Sequence, residues 1–362
     1  MSSVSAVPAS PPSERQLLET AEDVSHITSI FDPATLVKRG YCRVARGSDR
    51  KVDEHKMYYE LHGSTDPKAR KLVLIMGLSN SAFAWHAQLP YFSRLPNYSV
   101  LVFDHLGVGH STSPSHPSLA FLTRYTTSEM AKDVQELLDF VRWTQEVRAG
   151  GEGGVECVGI SMGGMVAQEL ALLIPSRIRT LLLTSTSPGS SSLLPSLPSR
   201  KATTLIVKQS LGLIKTPEEQ IEGVVGTLFP KEWLEGIAGD GEEGEGRGRR
   251  EVLIEEFLHR YHLNQRQPLS GRMGQTFAVL SHYVSFSRLT EIAKSVSRIA
   301  VIHGTEDELI AVERGRELAK GLPGSILTLI PSAGHALPRQ FTKQYNEWIR
   351  TNIEREEWAF GP

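Results

Sequence analysis

The sequence predicts an α/β protein with a mostly parallel sheet flanked by helices. Short continuous apolar runs such as KLVLIMG, YSVLVFD and VECVGIS are typical of parallel strands that are buried on both faces. Segments with apolar residues at helical spacing separate these runs. Since strands and helices alternate along the chain, the pattern implies a parallel sheet with helices on both of its faces.

The alternation is interrupted once, and this interruption divides the chain. Residues 188–295 carry helical patterns with few strand signals, so we expect a helical lid inserted between two parts of the core, 52–187 and 296–362. Within the lid, residues 238–250 are rich in glycine and charge and are predicted to form a flexible surface loop. Residues 1–51 are predicted to be an N-terminal tail followed by an extension helix.

Composition and charge exclude several classes of partner. The 362 residues are 40% hydrophobic and 22% charged, which allows a full core. A formal net charge of -2 gives no basic surface for nucleic acid or an anionic membrane. There is no signal-peptide pattern and no apolar stretch of transmembrane length. With two isolated cysteines, Cys42 and Cys157, we expect a cytoplasmic protein, and the oligomeric state is left open.

A G-x-S-x-G pentapeptide runs from Gly159 to Gly163, with Ser161 at its centre. It follows the apolar strand VECV and precedes a helical segment, which is the context that a nucleophile elbow requires. Glycines flank the serine because the turn is too sharp for side chains at those positions. Ser161 is therefore the predicted nucleophile, at a helix N-terminus that favours developing negative charge.

A serine hydroxyl needs a base, and the base needs an orienting acid. His335 lies in the turn PSAGHALP after the predicted strand SILTLIP, and Asp307 follows the strand RIAVIHG. The order Ser161, Asp307, His335 is the one expected for a nucleophile elbow. Glu308 is the alternative acid. His303 also ends a strand, but it precedes the acid turn and is expected to brace it.

The tetrahedral intermediate requires two backbone N–H donors. One is expected from Met162, directly after the nucleophile, and the other from Leu78, in the loop after KLVLIMG. Gly77 allows the tight turn that this loop needs.

These segments together resemble the α/β-hydrolase superfamily over about residues 52–187 and 296–357. The matching motifs are IMGLSNSAFAW, DHLGVGHS, GISMGG, HGTED and AGH. The resemblance implies a structural role for Asp104 and for Asp133. His105 stands where arginine is common in the family, Met76 stands before Gly77 where histidine is common, and the usual proline after the acid turn is missing. The sequences of these motifs look like those of small-molecule esterases and enol-lactone hydrolases.

The expected function is therefore a serine hydrolase that cleaves an ester, lactone or thioester of a small, moderately apolar molecule through an acyl-enzyme. Acyl transfer with the same three residues is an alternative, as is a non-catalytic ligand-binding protein on this fold. A lyase without cofactor also stays open. We expect no metal site, because the histidines lack metal-ligand spacing, and no cofactor, because the sequence has no cofactor fingerprint.

Overall fold

The structure is a computed structural model that describes residues 24–47, 49–113, 125–148, 151–191, 204, 214 and 216–355. Most of the predicted N-terminal tail and extension helix falls within residues 1–23, outside the described residues.

The strands form one mixed, mostly parallel sheet in the order β1-β2-β4-β3-β5-β6-β7-β8. Strand β2 pairs antiparallel with β1 and with β4, and every other neighbouring pair is parallel. The predicted fold class is thus confirmed. The strands are β1 Leu36–Val44, β2 His55–Gly63, β3 Arg70–Ile75, β4 Tyr98–Phe103, β5 Val155–Ile160, β6 Ile178–Thr184, β7 Arg298–Gly304 and β8 Ile326–Ile330.

The helices cover both faces of this sheet. They are α1 Leu89–Ser93, α2 Thr127–Phe140, α3 Met162–Leu173, α4 Pro217–Leu228, α5 Lys231–Leu234, α6 Arg249–Leu263, α7 Leu269–Leu280, α8 Phe286–Ser295, α9 Val312–Gly321, α10 Leu337–Gln340 and α11 Thr342–Glu354. Short 3-10 turns occupy Pro33–Thr35, Ala82–Trp85 and Pro175–Arg177.

Side chains that alternate along the central strands build two separate cores. In β3, Val73 and Ile75 pack toward α2, α3, α8 and α9, whereas Leu72 and Leu74 pack toward α1 and α11. All residues of β4 and β5 are buried. Burial on both faces explains why the sequences of these strands are continuous apolar runs. It also makes the sheet a rigid support for the loops at its edge.

The sequence pattern predicts a core that begins at residue 52, and this boundary is wrong, because the sheet begins with β1 at Leu36. The strand LVKRGYCRV contains three basic residues and a glycine, so it lacks the apolar run of its buried neighbours. Charged residues are common on edge strands, where they block pairing with another chain.

Between β6 and β7 the chain forms the predicted helical insertion. Helices α4, α5 and α6 share a small apolar cluster of their own, made by Ile221, Val225, Phe229, Leu234 and Leu253. The last helix before β7, α8, instead packs on α3 and α9 of the core. The predicted loop at 238–250 is a surface loop with hydrogen-bonded turns, and α6 begins in it at Arg249. Its flexibility stays a prediction.

Candidate active site

Ser161 lies between β5 and α3 in a strained backbone conformation. Its φ is 56° and its ψ is -122°, a combination that residues other than glycine rarely adopt. The Ser161 N–H donates to Thr184 O at 2.9 Å, and Thr186 Oγ1 donates to Ser161 O at 2.7 Å. These bonds to the end of β6 hold the turn in place. Strain of this kind persists where the surroundings enforce it, and it is characteristic of functional sites.

The glycines on either side of Ser161 are required by space. A Cβ on Gly159 would lie 2.4 Å from Gly163 O, and a Cβ on Gly163 would lie 2.1 Å from Ile75 O. Both distances are far below van der Waals contact. The clash at Gly159 lies within the turn, as the sequence suggested, whereas the clash at Gly163 is with the end of β3, which the sequence did not indicate.

Asp307 and His335 form a buried pair beside the same edge of the sheet. Asp307 follows β7, His335 follows β8, and His335 Nδ1 lies 2.8 Å from Asp307 Oδ2. Asp307 Oδ1 accepts the N–H groups of Leu309 and Ile310, both at 2.9 Å, which fixes the carboxylate. Glu308, the alternative acid, is exposed.

His303 adds a second imidazole to this carboxylate. Its Nε2 lies 3.2 Å from Asp307 Oδ2 and 2.8 Å from Ile310 O, and its side chain is fully buried. This is the bracing position that the sequence suggested. Burial raises the pKa of Asp307, but the charges and hydrogen bonds of His335 and His303 outweigh it and leave the pKa below its ordinary value. The carboxylate therefore stays ionised at neutral pH.

The hydroxyl of Ser161 and the imidazole of His335 are not hydrogen-bonded. Among the described residues, Ser161 Oγ has no hydrogen-bond partner. The fold brings Asp307 and His335 into contact and sets Ser161 at the end of β5, two strands away from β7 along the same edge. In enzymes without substrate, catalytic hydrogen bonds are often long and shorten when substrate binds.

The loop after β3 approaches Ser161 directly. A Cβ on Gly77 would lie 3.1 Å from Ser161 Cβ and 3.6 Å from Ser161 Oγ. Within the part of the chain that the structure describes, neither Leu78 nor Met162 uses its backbone N–H in a hydrogen bond. Met162 is also the first residue of α3. The two residues that the sequence predicted as donors, one next to Gly77 and one next to Ser161 in the chain, thus have uncommitted N–H groups.

A family model described as the α/β hydrolase fold matches residues 71–213. Over these residues the chain resembles the α/β hydrolases, as its motifs predicted. The matched region contains β3 to β6, the loop after β3 and the elbow at Ser161.

The comparisons with individual proteins agree with this family. The chain is 27% identical over 302 residues to a protein named putative carbamate hydrolase RutD of Stutzerimonas stutzeri, a match that covers 83% of this chain and 97% of that protein. A hydrolase structure from Pseudomonas aeruginosa has a TM-score of 0.62 at 24% identity, covering 88% of this chain and 99% of that one. The enol-lactonase structure from Burkholderia xenovorans has a TM-score of 0.62 at 18% identity, covering 83% and 96%. These two structures share the fold.

The aspartates that the family resemblance assigned to structural roles make structural contacts. Asp104 accepts the N–H of Ala82 at 2.6 Å and of His110 at 2.8 Å, and it is buried. Burial raises the pKa of Asp104 to about 7, although these two N–H bonds oppose the rise. Asp133 forms ion pairs with Arg50 and His55 far from Ser161 in the chain. Neither carboxylate contacts the Asp307–His335 pair.

His105, which stands where arginine is common in the family, links the loop after β4 to the loop after β3. Its Nε2 lies 3.2 Å from Met76 O, so the imidazole donates to the loop that carries Leu78. Burial lowers the pKa of His105 to about 4, so the ring is neutral at pH 7.

Sequence reasoning missed two buried glutamines that hold these loops. Gln340 Oε1 accepts the N–H of Gly334 at 2.8 Å and its Nε2 donates to Ser332 O at 2.9 Å, on the turn before His335. Gln275 Oε1 accepts the N–H of Ser79 in the loop after β3 at 2.9 Å, and its Nε2 donates to Leu106 O in the loop after β4 at 3.2 Å. A buried glutamine has no motif, so the sequence carried no signal for either residue.

One group of side chains has metal-ligand chemistry. The ligand atoms of His86, Glu243 and Glu256 all lie within 4.8 Å of one another. However, Glu256 already pairs with Arg339, at 2.5 Å, and with Arg260, at 3.2 Å. Two guanidinium groups on one carboxylate neutralise it and repel a cation, so this cluster fits an ion-pair network between α6 and α10.

Three further findings concern the rest of the molecule. A cavity of about 370 Å³ is lined by residues including Val147, Pro175 and Ser297, before the amino ends of β5, β6 and β7, at the edge opposite to Ser161. No helix among the described residues is long and apolar enough to span a membrane. Cys42 and Cys157 are both buried free thiols.

Proposed function

We propose that this chain is a serine hydrolase that cleaves a carboxylic ester, lactone or thioester of a small, moderately apolar molecule. The observation that carries the proposal is the strained Ser161, set at the same sheet edge as the buried His335–Asp307 pair. A chain under no functional constraint has no reason to keep a serine at a positive φ next to two uncommitted N–H groups.

We assign the roles of the three side chains from the Asp307–His335 contact and from the position of Ser161 at the same edge of the sheet. Asp307 accepts from His335 Nδ1, so the proton of the neutral imidazole is on Nδ1 and Nε2 has the free electron pair. His335 Nε2 takes the proton of Ser161 as its Oγ attacks the substrate carbonyl carbon. The resulting imidazolium is stabilised by the Asp307 carboxylate and then protonates the leaving alcohol or thiol, which gives the acyl-enzyme. Water, deprotonated by His335, releases the acid and restores Ser161.

The negative oxygen of each tetrahedral intermediate would accept the N–H groups of Leu78 and Met162. Because Met162 is the first residue of α3, the helix dipole adds positive potential at the same point. Loss of one such donor typically lowers turnover roughly 10²- to 10³-fold.

A fluorophosphonate probe tests the nucleophile. The probe should label the wild type and fail to label Ser161→Ala, and Ser161→Ala should lose turnover of p-nitrophenyl esters. Ser185→Ala is the matched control, because Ser185 also has a positive φ, 44°, and stands at the neighbouring strand end. Equal labelling of wild type and Ser161→Ala would remove Ser161 from the mechanism.

Carbamate hydrolysis is a second candidate, favoured by the names of relatives such as the Stutzerimonas protein. The same residues would form a carbamoyl-enzyme, so the candidates differ in substrate alone. A panel of p-nitrophenyl esters, lactones, thioesters and carbamates, run on wild type and Ser161→Ala, separates them by kcat/KM. A preference for carbamates over every ester would overturn our first choice.

The remaining alternatives have direct tests. Product analysis with an added alcohol or thiol acceptor separates acyl transfer from hydrolysis. Ester turnover that depends on Ser161 excludes a non-catalytic binding protein. The cytoplasmic location and the lid role of the insertion stay predictions.

A further inference from the structure

Gln275 is a fully buried side chain of α7 that contacts two loops at the active edge of the sheet. Its Oε1 accepts the N–H of Ser79, after β3, at 2.9 Å. Its Nε2 donates to Leu106 O, after β4, at 3.2 Å. One amide of the helical insertion therefore joins the loops that follow two neighbouring strands of the core.

The position of Gln275 is fixed because helix α7 packs closely on the loop after β4. A Cβ on Gly271, one turn before Gln275, would lie 2.2 Å from Gly107 O, so the backbone of α7 rests directly on the loop after β4. Gln267 Nε2 also donates to Gln275 Oε1 at 3.4 Å. Because the backbone is fixed and the amide is held on both sides, Gln275 has little freedom to move away from Ser79.

The Ser79 bond orients the residue that carries the proposed oxyanion donor. The Ser79 N–H and the Leu78 carbonyl belong to one planar peptide group. Gln275 holds the N–H of that group, and Asn80 Nδ2 holds the Leu78 carbonyl at 3.1 Å. On the other side, Gly77 O accepts from Asn80 N at 3.4 Å, which fixes the peptide that contains the Leu78 N–H. Ser79 itself is held at a φ of 58°.

We infer that Gln275 is a positioning residue of the oxyanion hole, through which the helical insertion holds the Leu78 N–H toward Ser161. The inference rests on the proposed function. Without the Gln275 acceptor, the strained φ of Ser79 loses a bond that offsets it, and the Leu78–Ser79 peptide, then held by Asn80 alone, can shift the Leu78 N–H out of position. The insertion thus contributes to transition-state stabilisation as well as covering the core.

Gln275→Met tests this role, since methionine matches glutamine in length but neither donates to Leu106 O nor replaces the amide acceptor. We expect kcat to fall roughly tenfold to a hundredfold with little change in KM, because a misplaced donor costs less than a deleted one. Gln88→Met is the matched control. Gln88 is an equally buried glutamine whose Nε2 donates to Pro338 O and to Asn346 Oδ1, away from Ser79. The Gln88→Met variant should lose stability and keep the kcat of the wild type.

A pair of inhibitors distinguishes positioning from general loosening. A trifluoromethyl ketone forms a hemiketal with a serine and places its oxygen in the oxyanion hole, whereas the matching methyl ketone stays uncharged. Gln275→Met should weaken the trifluoromethyl ketone by the same factor as kcat/KM and leave the methyl ketone unchanged. Equal weakening of both inhibitors, or a kcat within twofold of wild type, would overturn the inference.

Gln275→Glu provides the conservative variant. When protonated, the carboxyl accepts from Ser79 and donates to Leu106 O as the amide does, and burial raises its pKa. Its kcat relative to wild type should therefore decrease as pH rises, whereas the ratio for Gln275→Met should not change. A kcat for Gln275→Glu that is no higher than that of Gln275→Met at any pH would contradict the two contacts.

Hydrogen exchange gives a readout that does not need activity. Gln275→Met should speed amide exchange in peptides that cover residues 76–82, and Gln88→Met should not. If Ser161 proves not to be a nucleophile, this measurement still decides whether Gln275 holds the loop. Unchanged exchange in Gln275→Met would refute the positioning role by itself.

Discussion

The change Asp307→Asn tests the acid of the proposed triad, because the carboxylate has four acceptor contacts that an amide cannot satisfy. Asp307 Oδ1 accepts two backbone N–H groups, from Leu309 and Ile310, and Oδ2 faces His335 Nδ1 and His303 Nε2. An asparagine has one acceptor oxygen and one NH2 group. If its oxygen keeps the backbone bonds, its NH2 faces two imidazole nitrogens that act as donors.

The consequence for catalysis follows from the tautomer. To accept from the asparagine NH2, the neutral His335 must move its proton from Nδ1 to Nε2, and Nε2 then has no electron pair for the Ser161 proton. The wrong tautomer in a serine–histidine–aspartate triad costs roughly 10⁴ in kcat. We expect a loss of that order in p-nitrophenyl ester hydrolysis, with KM changed little.

The cost in stability comes from the same contacts. With its oxygen on the backbone N–H groups, the asparagine leaves His303 with Ile310 O as its acceptor and forces the tautomer change of His335, and a lost buried acceptor costs about 1–3 kcal/mol. We therefore expect the free energy of unfolding in urea to fall by about 1–3 kcal/mol. Steady-state kinetics and urea denaturation measure the two effects independently.

Glu308→Gln is the control, because Glu308 is the adjacent carboxylate and is exposed. It should keep kcat and stability close to wild type. If Glu308→Gln lost activity and Asp307→Asn retained it, the assignment of the acid and the tautomer argument would both be wrong.

Two further predictions concern pH and packing. Since burial lowers the pKa of His105 from 6.5 to about 4, the unfolded chain binds more protons than the folded chain between these values. The free energy of unfolding should therefore fall by roughly 3 kcal/mol as pH drops through this window. His105→Gln should reduce this dependence of stability on pH, whereas His259→Gln, at an exposed histidine, should not. Urea midpoints at pH 7 and pH 5 measure the difference. Gly163→Ala places a Cβ 2.1 Å from Ile75 O and should cost about 3 kcal/mol or more together with most activity. Gly248→Ala meets nothing within 4 Å and should leave the thermal midpoint nearly unchanged, and equal effects of the two alanines would contradict the steric argument.

The sequence by itself determined the fold class and the position of the site residues in the chain. Apolar runs marked β3 to β7 because these strands are buried on both faces, where composition alone identifies a strand. The pentapeptide at Ser161 was recognisable because a Cβ at Gly159 would meet Gly163 O within the same turn, although the clash at Gly163 is with the end of β3. Local constraints of this kind leave a pattern that spans a few residues.

Tertiary structure decided what depends on contacts between distant segments. The edge strand β1 had no apolar run, so its pairing with β2 was not visible in the sequence. Exposure and a 2.8 Å contact separate Asp307 from Glu308, although the two are adjacent in the chain. Gln275 reaches Ser79 across 196 residues, and an amide buried by such a contact looks like any surface glutamine until the chain is folded.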